Sequence, residues 1–262
     1  MIPEDLDPAL VRACLRTARF GRSLDVRAET GSTNDDARAA AEAGAPDGHV
    51  VVADAQRRGR GAHGRPWSSP PGRDLYVSIV VRPPSFALPA LAPLTLAVGL
   101  GLARAVAIFV SKERVRVKWP NDVLIDERKC AGILVETSSL GERAGPVVIG
   151  IGVDVGREQF DEDLAPLATS LRLAAGHALD RASVLAAVLS MVEAEVDRFF
   201  AGGLPEIVRE IESILAMRGE RVECGSARGE LVGLAPSGAL RLRVDGSERE
   251  IVSGSPKRLG PR

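Results

Sequence analysis

The groups best able to hold an anion are concentrated in a few short segments. Residues 56–65 read Gln-Arg-Arg-Gly-Arg-Gly-Ala-His-Gly-Arg, setting Arg57, Arg58, Arg60 and Arg65 among Gly59, Gly61 and Gly64. Guanidinium groups grip carboxylates and phosphates in a two-point fork. Glycines let backbone N–H groups come close to the same anions. On residue type alone, a merely solvated basic loop is the better account. Gly59–Gly64 formally matches the Gly-x-Gly-x-x-Gly of dinucleotide sites, but that motif must open a helix. Here Pro66, Pro70 and Pro71 follow within six residues and preclude one. The phosphate-binding pattern Gly-x4-Gly-Lys-Ser/Thr is absent, which excludes a P-loop.

Further along, Lys118-Trp119-Pro120-Asn121-Asp122 joins the end of one predicted strand to the start of another. Lys118, Asn121 and Asp122 then sit together at a sheet end. Asn121 is either a structural turn residue or a reader of a purine edge, with Lys118 on phosphate. Asp126-Glu127-Arg128 predicts a hairpin turn, after which Lys129 opens a strand. Gly150 and Gly152 interrupt an apolar strand. Glycine weakens a strand unless something must approach its backbone, so strand packing and ligand approach both explain the pair. Of 34 basic residues only Lys112, Lys118, Lys129 and Lys257 are lysines. In a chain that otherwise writes arginine, a retained lysine hints at work that arginine cannot do.

The pattern predicts the elements that must position these groups. A strand over 24–29 precedes a capping-box signal, Ser32 with Asp35, which starts a helix ended by Gly44. The β-branched run Val50–Ala53 predicts a buried strand, and 56–74 a long loop of the kind usually functional or disordered. Strands follow at 75–81, 115–118, 123–125, 131–136 and 147–153, with short turns suited to antiparallel pairing. Helices are expected at 8–19, 91–110, 182–201 and 205–217. From about Arg218 the texture changes to short alternating strands with glycine turns, a small β-barrel-like module. The expected organisation is a domain over 1–216 and a second over 217–262.

Composition narrows the field. Hydrophobic residues make up 45%, charged residues 26%, and the net charge is −1, which gives no reason to expect a nucleic-acid partner. Cys14, Cys130 and Cys224 form no metal or disulfide spacing, consistent with reduced thiols in the cytoplasm. His49, His63 and His177 are too scattered for a zinc site. The acidic N-terminus carries no secretory signal. Arg104 within the apolar run 91–110, with Gly99 and Gly101 for close packing, argues for a buried helix and against a membrane span.

In this order the segments resemble the biotin–protein ligase family, and the resemblance covers nearly the whole chain. It rests on Ser32-Thr33-Asn34, Gln56 with Gly59-Arg60-Gly61, Arg65 and Trp67, the run from Lys118 to Val123, Arg128 to Glu136, and Val147 to Gly156. The C-terminal module resembles that family's SH3-like domain. The resemblance implies an α+β fold: a mixed, mostly antiparallel sheet with flanking helices, similar to class II aminoacyl-tRNA synthetases. It implies activation of biotin by ATP and Mg2+ to biotinyl-5′-AMP, then transfer to a lysine of a biotin carboxyl-carrier protein. By the family pattern Ser32, Thr33, Asn34 and Gln56 bind biotin and Gly150 and Gly152 lie against it. Arg60, with Gly61 and Ala62, closes over its carboxylate. Lys129 contacts the carboxylate and α-phosphate and, with Arg60, carries the catalysis. Arg65, Trp67, Lys118, Asn121 and Asp154 face ATP, Trp67 and Asn121 on the adenine. The pattern names no metal ligands.

Two positions depart from the family. Ala62 stands where a second arginine is common, which predicts a looser grip on the adenylate or a compensating contact from His63. Asp154 stands where asparagine is usual; when ionised it accepts but cannot donate a hydrogen bond. The rival readings are a lipoate- or octanoate-type ligase, a biotin-responsive regulator and a catalytically dead ligand-binding module. About thirty residues precede Ser32 with one helical pattern and no recognition helix, so no DNA partner is expected. A homodimer through edge strands is allowed but not demanded.

Overall fold

The computed structural model describes residues 2–84, 88–140 and 143–260. Seven strands form the main sheet: β1 (Leu24–Thr30), β2 (Val50–Gln56), β3 (Leu75–Val81), β4 (Val115–Lys118), β5 (Asp122–Ile125), β6 (Arg128–Leu140) and β7 (Arg143–Val153). Their order is β1-β2-β3-β7-β6-β5-β4, with β1 and β2 parallel and the rest antiparallel, as expected of a mixed sheet. The outer edge of β4 is capped: Val117 N donates to Ile214 O (2.9 Å) and Ala216 N to Val117 O (2.9 Å).

Strand alternation gives the sheet two faces. Val50, Val52, Ile79 and Ile149 point into the main core. Val51, Val80 and Val148 point the other way, beneath Ala37 and Ala41 of α2 (Thr33–Glu42). On the core side α3 (Leu94–Val106) lies against β4, β5 and β6 and is covered by α5 (Arg181–Phe200) and α6 (Leu204–Ser213). α1 (Pro8–Cys14) packs on α5, and the short α4 (Leu171–Ala175) follows β7.

The apolar run predicted as one helix over 91–110 is shorter, because Pro89 and Pro93 confine its start to a 3-10 turn at Leu88–Leu91. Eleven of the thirteen residues of α3 are buried. Arg104 reaches outward to ion pairs with Glu195 and Glu210. A Cβ on Gly101 would lie 2.7 Å from Met191 O, so this glycine permits the α3–α5 approach, whereas Gly99 has ordinary room. The predicted helix over 8–19 stops at Cys14 and that over 205–217 at Ser213, while α4 had no visible pattern.

A second, five-stranded antiparallel sheet follows: β8 (Arg221–Cys224), β9 (Ala227–Leu234), β10 (Leu240–Val244), β11 (Ser247–Ile251) and β12 (Lys257–Arg258), in the order β11-β10-β9-β8-β12. It meets the main sheet at the β4–β5 turn, where buried Trp119 donates from Nε1 to Gly238 O (3.0 Å).

Candidate active site

The face of the main sheet that carries α2 is not fully covered by it, and there the predicted residues converge. Ser32 sits at the N-terminus of α2 but makes no side-chain cap. The capping box therefore does not form, and its other half has a different partner. Asp35 receives a fork from Arg60, with Nη1 to Oδ2 at 2.8 Å and Nη2 to Oδ1 at 2.7 Å. That guanidinium holds the Asp35 carboxyl below its ordinary range. Glu136, at the far end of the Ile133–Glu136 run, lies 3.7 Å from Arg60 and 3.0 Å from Arg38.

Below Arg60 a chain of polar groups lines a narrow cavity. Gln56 Oε1 accepts from Thr33 N (2.9 Å) and Oγ1 (3.1 Å), while its Nε2 donates to Ser69 Oγ (3.0 Å). Ser78 Oγ lies 2.8 Å from Thr33 Oγ1 and 2.6 Å from Asn34 Oδ1, and Asn34 Nδ2 donates to Glu136 Oε2 (2.7 Å). Ser78, fully buried on β3, was missed as a site residue. Its signal was a lone serine inside the otherwise aromatic and aliphatic run Leu75–Val81, since a buried polar group needs partners.

Glycines make the bed of this cavity. A Cβ on Gly150 would stand 2.3 Å from Asn34 Oδ1, and one on Gly152 would stand 2.5 Å from the Trp67 ring. Gly132, paired across the ladder with Gly152, also lies under Trp67, at 2.9 Å from a built Cβ. The close approach at Gly150 and Gly152, expected from a ligand, is thus made by Asn34 and by the indole. The Trp67 Nε1 is buried without a hydrogen-bond partner among the described residues. Asn121 donates from Nδ2 to Ile133 O (3.1 Å), which uses one of its two N–H groups and leaves the other, with Oδ1, for a ligand.

Lys129 reaches the site through an irregularity. The β5–β6 pairing runs Val123↔Ala131 and then Leu124↔Lys129, so Cys130 is an extra residue. Simple alternation would send Lys129 to the face of Ala131 and Ile133, which are in the core. The bulge puts Cys130 in the core instead and turns Lys129 to the site. Its backbone is clasped by the 160–169 segment, with Lys129 N to Leu167 O and Thr169 N to Lys129 O both 2.8 Å. Lys129 Nζ lies 2.6 Å from Asp122 Oδ1 and 5.0 Å from the Trp67 ring centre.

A second cavity of about 530 Å3 opens beyond Trp67. Arg65, Lys118, Asp122 and Asp154 line it together with Phe160, Leu164, Leu167, Met217, Lys257 and Arg258, which carried no motif. Gly61, Ala62, Trp67 and Lys129 line both cavities and so mark their junction. Asp154 is buried, 3.3 Å from Arg157 Nε, but Arg157 is shared with fully buried Asp74 at 2.5 Å. Burial, then the charge of Asp74, pushes the Asp154 carboxyl up to about 8 against the pull of Arg157 and Lys129. At neutral pH it keeps its proton and can donate, so the departure from asparagine costs less than the ionised form would. The His63 side chain lies outside the described residues.

A family model described as the biotin/lipoate A/B protein ligase family matches residues 29–154. The biotin–[acetyl-CoA-carboxylase] ligase of Mycobacterium tuberculosis is 35% identical, over 95% of this chain and 96% of that protein. The chain belongs to the biotin protein ligase family. Another member of the family, the bifunctional ligase/repressor BirA of Bacillus subtilis, is 33% identical over 96% of this chain and 78% of that protein. Among solved structures the fold is similar to the biotin protein ligase of Aquifex aeolicus in complex with biotin and ATP. That match has a TM-score of 0.80 and 32% identity, over 91% of this chain and all of the other.

Proposed function

We propose that this protein joins biotin to ATP, forming biotinyl-5′-AMP and pyrophosphate, and passes the biotinyl group to a lysine of a biotin carboxyl-carrier domain. The observation that carries the reading is the junction: one lysine, Lys129, lines both a polar, glycine-floored cavity and a cationic one. The reaction needs such a point. A carboxylate oxygen must bond to the α-phosphorus while the bond to the bridging oxygen of the leaving pyrophosphate breaks, and both partners are anions. A fixed cation at the meeting point cancels repulsion that free reactants would feel. Asp122 occupies one N–H of Lys129, leaving two donors, enough for one carboxylate and one phosphate oxygen.

In this reading the deep polar chain of Thr33, Asn34 and Gln56, with Ser32, meets the ureido group of biotin, which offers donors and an acceptor, while Ser78 holds Thr33 and Asn34 from behind. Arg60, Gly61 and Ala62 cover the carboxylate. Arg65, Trp67, Lys118, Asn121 and Asp154 attend the nucleotide, the orphan N–H of Trp67 suiting an acceptor on it. In the second step the acceptor amine bonds to the acyl carbon, AMP leaves with the electron pair of the C–O bond, and the amine loses a proton. Among the described residues no three His, Cys, Asp or Glu side chains cluster as a metal site. Mg2+ would be held by the nucleotide's own phosphates, with Asp122 a carboxylate on the same cavity wall, and would neutralise phosphate charge.

We assign residues 1–216 to the catalytic unit and 217–262 to a second one; Leu215 still bridges to β4, and β8 opens only at Arg221. Three free cysteines fit a cytoplasmic setting. The test is pyrophosphate release with ATP, Mg2+ and either biotin or lipoate, with the mass of the bound adenylate. Release with biotin alone is expected; release with lipoate and none with biotin would overturn the reading.

A further inference from the structure

Three of the chain's four lysines, Lys118, Lys129 and Lys257, line the larger cavity. Lys257 belongs to none of the motifs that pointed to the site. It stands on β12, paired across from Glu223 of β8, so it arrives from the C-terminal sheet. The next residue ties that strand to the main sheet. Arg258 is ion-paired with Glu127 in the β5–β6 turn and lies 2.6 Å from Glu220. Glu127 and Arg258 are themselves on the cavity wall. The latch therefore fixes β12 against the turn that leads into Lys129.

The charges there are unbalanced. Burial holds Lys118 below the ordinary lysine range, and Lys129, Arg65 and Lys257 push the same way, with Asp122 opposing. Asp122 is already bound to Lys129, Glu127 to Arg258, and Asp154 is neutral at pH 7. Arg65, Lys118, Lys129 and Lys257 thus outnumber the carboxylates left to them. Like charges gathered at a partly buried wall are unfavourable unless an anion enters. Ammonium groups act on phosphate as compact point charges, where arginine would make a planar fork.

We propose that Lys257, carried on the C-terminal sheet, binds the β- and γ-phosphates of ATP beside Lys118 and holds the pyrophosphate as it departs. This rests on the biotin-activating reading above. As the carboxylate oxygen bonds to the α-phosphorus, the electron pair of the broken bond passes to the bridging oxygen. The pyrophosphate gains that negative charge, which Lys257 meets without transferring a proton. Glu127 and Arg258 act as positioning residues.

The full chain separates the possibilities. In Lys257→Ala, the KM for ATP and the inhibition constant for inorganic pyrophosphate should each rise about tenfold. Inhibition by AMP, and transfer from purified biotinyl-5′-AMP to a carrier domain, should stay within about twofold of the parent. Lys257→Arg should restore most of the loss, and Glu127→Gln should show the same pattern more weakly. An unchanged pyrophosphate constant would overturn the proposal. So would a defect confined to the transfer step, which would put Lys257 on the acceptor protein. Calorimetric titration of parent and Lys257→Ala with pyrophosphate alone needs no activity. Tighter binding by the parent there, with no biotin-dependent turnover, would sink the functional reading and leave the anion site standing.

Discussion

The two cavities share Gly61, Ala62, Trp67 and Lys129 yet are built on different principles. The narrow one is pre-formed: its polar groups already bond to one another, and its floor is glycine backbone filled by Asn34 and Trp67. The wide one is unfinished: its cations outnumber their partners, its Trp67 N–H is orphaned, and its walls come from both sheets. A rigid, satisfied pocket selects by shape and hydrogen bonds. An unbalanced one draws its ligand by charge, and its affinity should fall with salt. In a synthesis that joins a vitamin with a neutral ureido ring and a single carboxylate to a polyanion, each cavity suits one reactant.

The sharpest way to break this contrast is at the junction. Lys129→Ala should lower adenylate formation by about 10²- to 10³-fold, the usual effect of removing one charge-stabilising donor. Pyrophosphate release in a single turnover measures it, and a parent-like rate would remove Lys129 from the chemistry. Next comes a change in one cavity alone. The added Cβ of Gly150→Ala collides with Asn34, so biotin binding should weaken by about 10- to 100-fold while the KM for ATP barely moves. A parallel loss for both ligands would mean that the cavities are not separable.

Asp154→Asn tests the buried carboxyl through stability. The folded-state value, about 8, lies above the ordinary one, so the folded protein holds a proton that the unfolded chain releases. Stability of the parent should fall as pH rises from about 4 to about 8 and then level off. The variant escapes that fall and should gain on the order of 1–3 kcal/mol relative to the parent at pH 8.5, with little difference near pH 4. Thermal midpoints across this range decide it; a parent that grows more stable over the window would show an ionised, Arg157-paired Asp154.

The smallest effects concern the loop. Ala62→Arg should slow dissociation of biotinyl-5′-AMP by about three- to tenfold through an added charged donor. Asp35→Asn, which frees Arg60 from a partly exposed pair, should speed it by only about two- to fivefold. Stopped-flow release of the adenylate reads both, and an unchanged rate in Ala62→Arg would show that this position does not govern retention.

What the sequence disclosed follows the same division. Most of the narrow cavity comes from contiguous motifs, so Ser32–Asn34, Gln56, Arg60 and Gly150–Gly152 were legible. Asp35 was not, because its neighbour Ser32 made it look like half of a helix cap, and its partner Arg60 lies 25 residues away. Glu136 and Ser78 passed as strand residues. The strand pattern over 131–136 also hid the bulge, since alternation cannot show where a ladder gains a residue. The far wall of the wide cavity was illegible for a plainer reason. Phe160, Met217 and Lys257 meet only because one sheet is docked on another, and no short-range spacing encodes that.

The lysine placement bears on what the intermediate can react with. A mixed anhydride acylates free amines, whereas guanidinium groups stay protonated above pH 12 and resist. Apart from the three lysines at the cavity, the side chains of this protein offer such an anhydride only one more amine, Lys112. An arginine-clad catalyst is therefore a poor target for its own product. An acyl adenylate that slips out past Ala62 meets water or a foreign amine sooner than it meets a lysine of the molecule that made it.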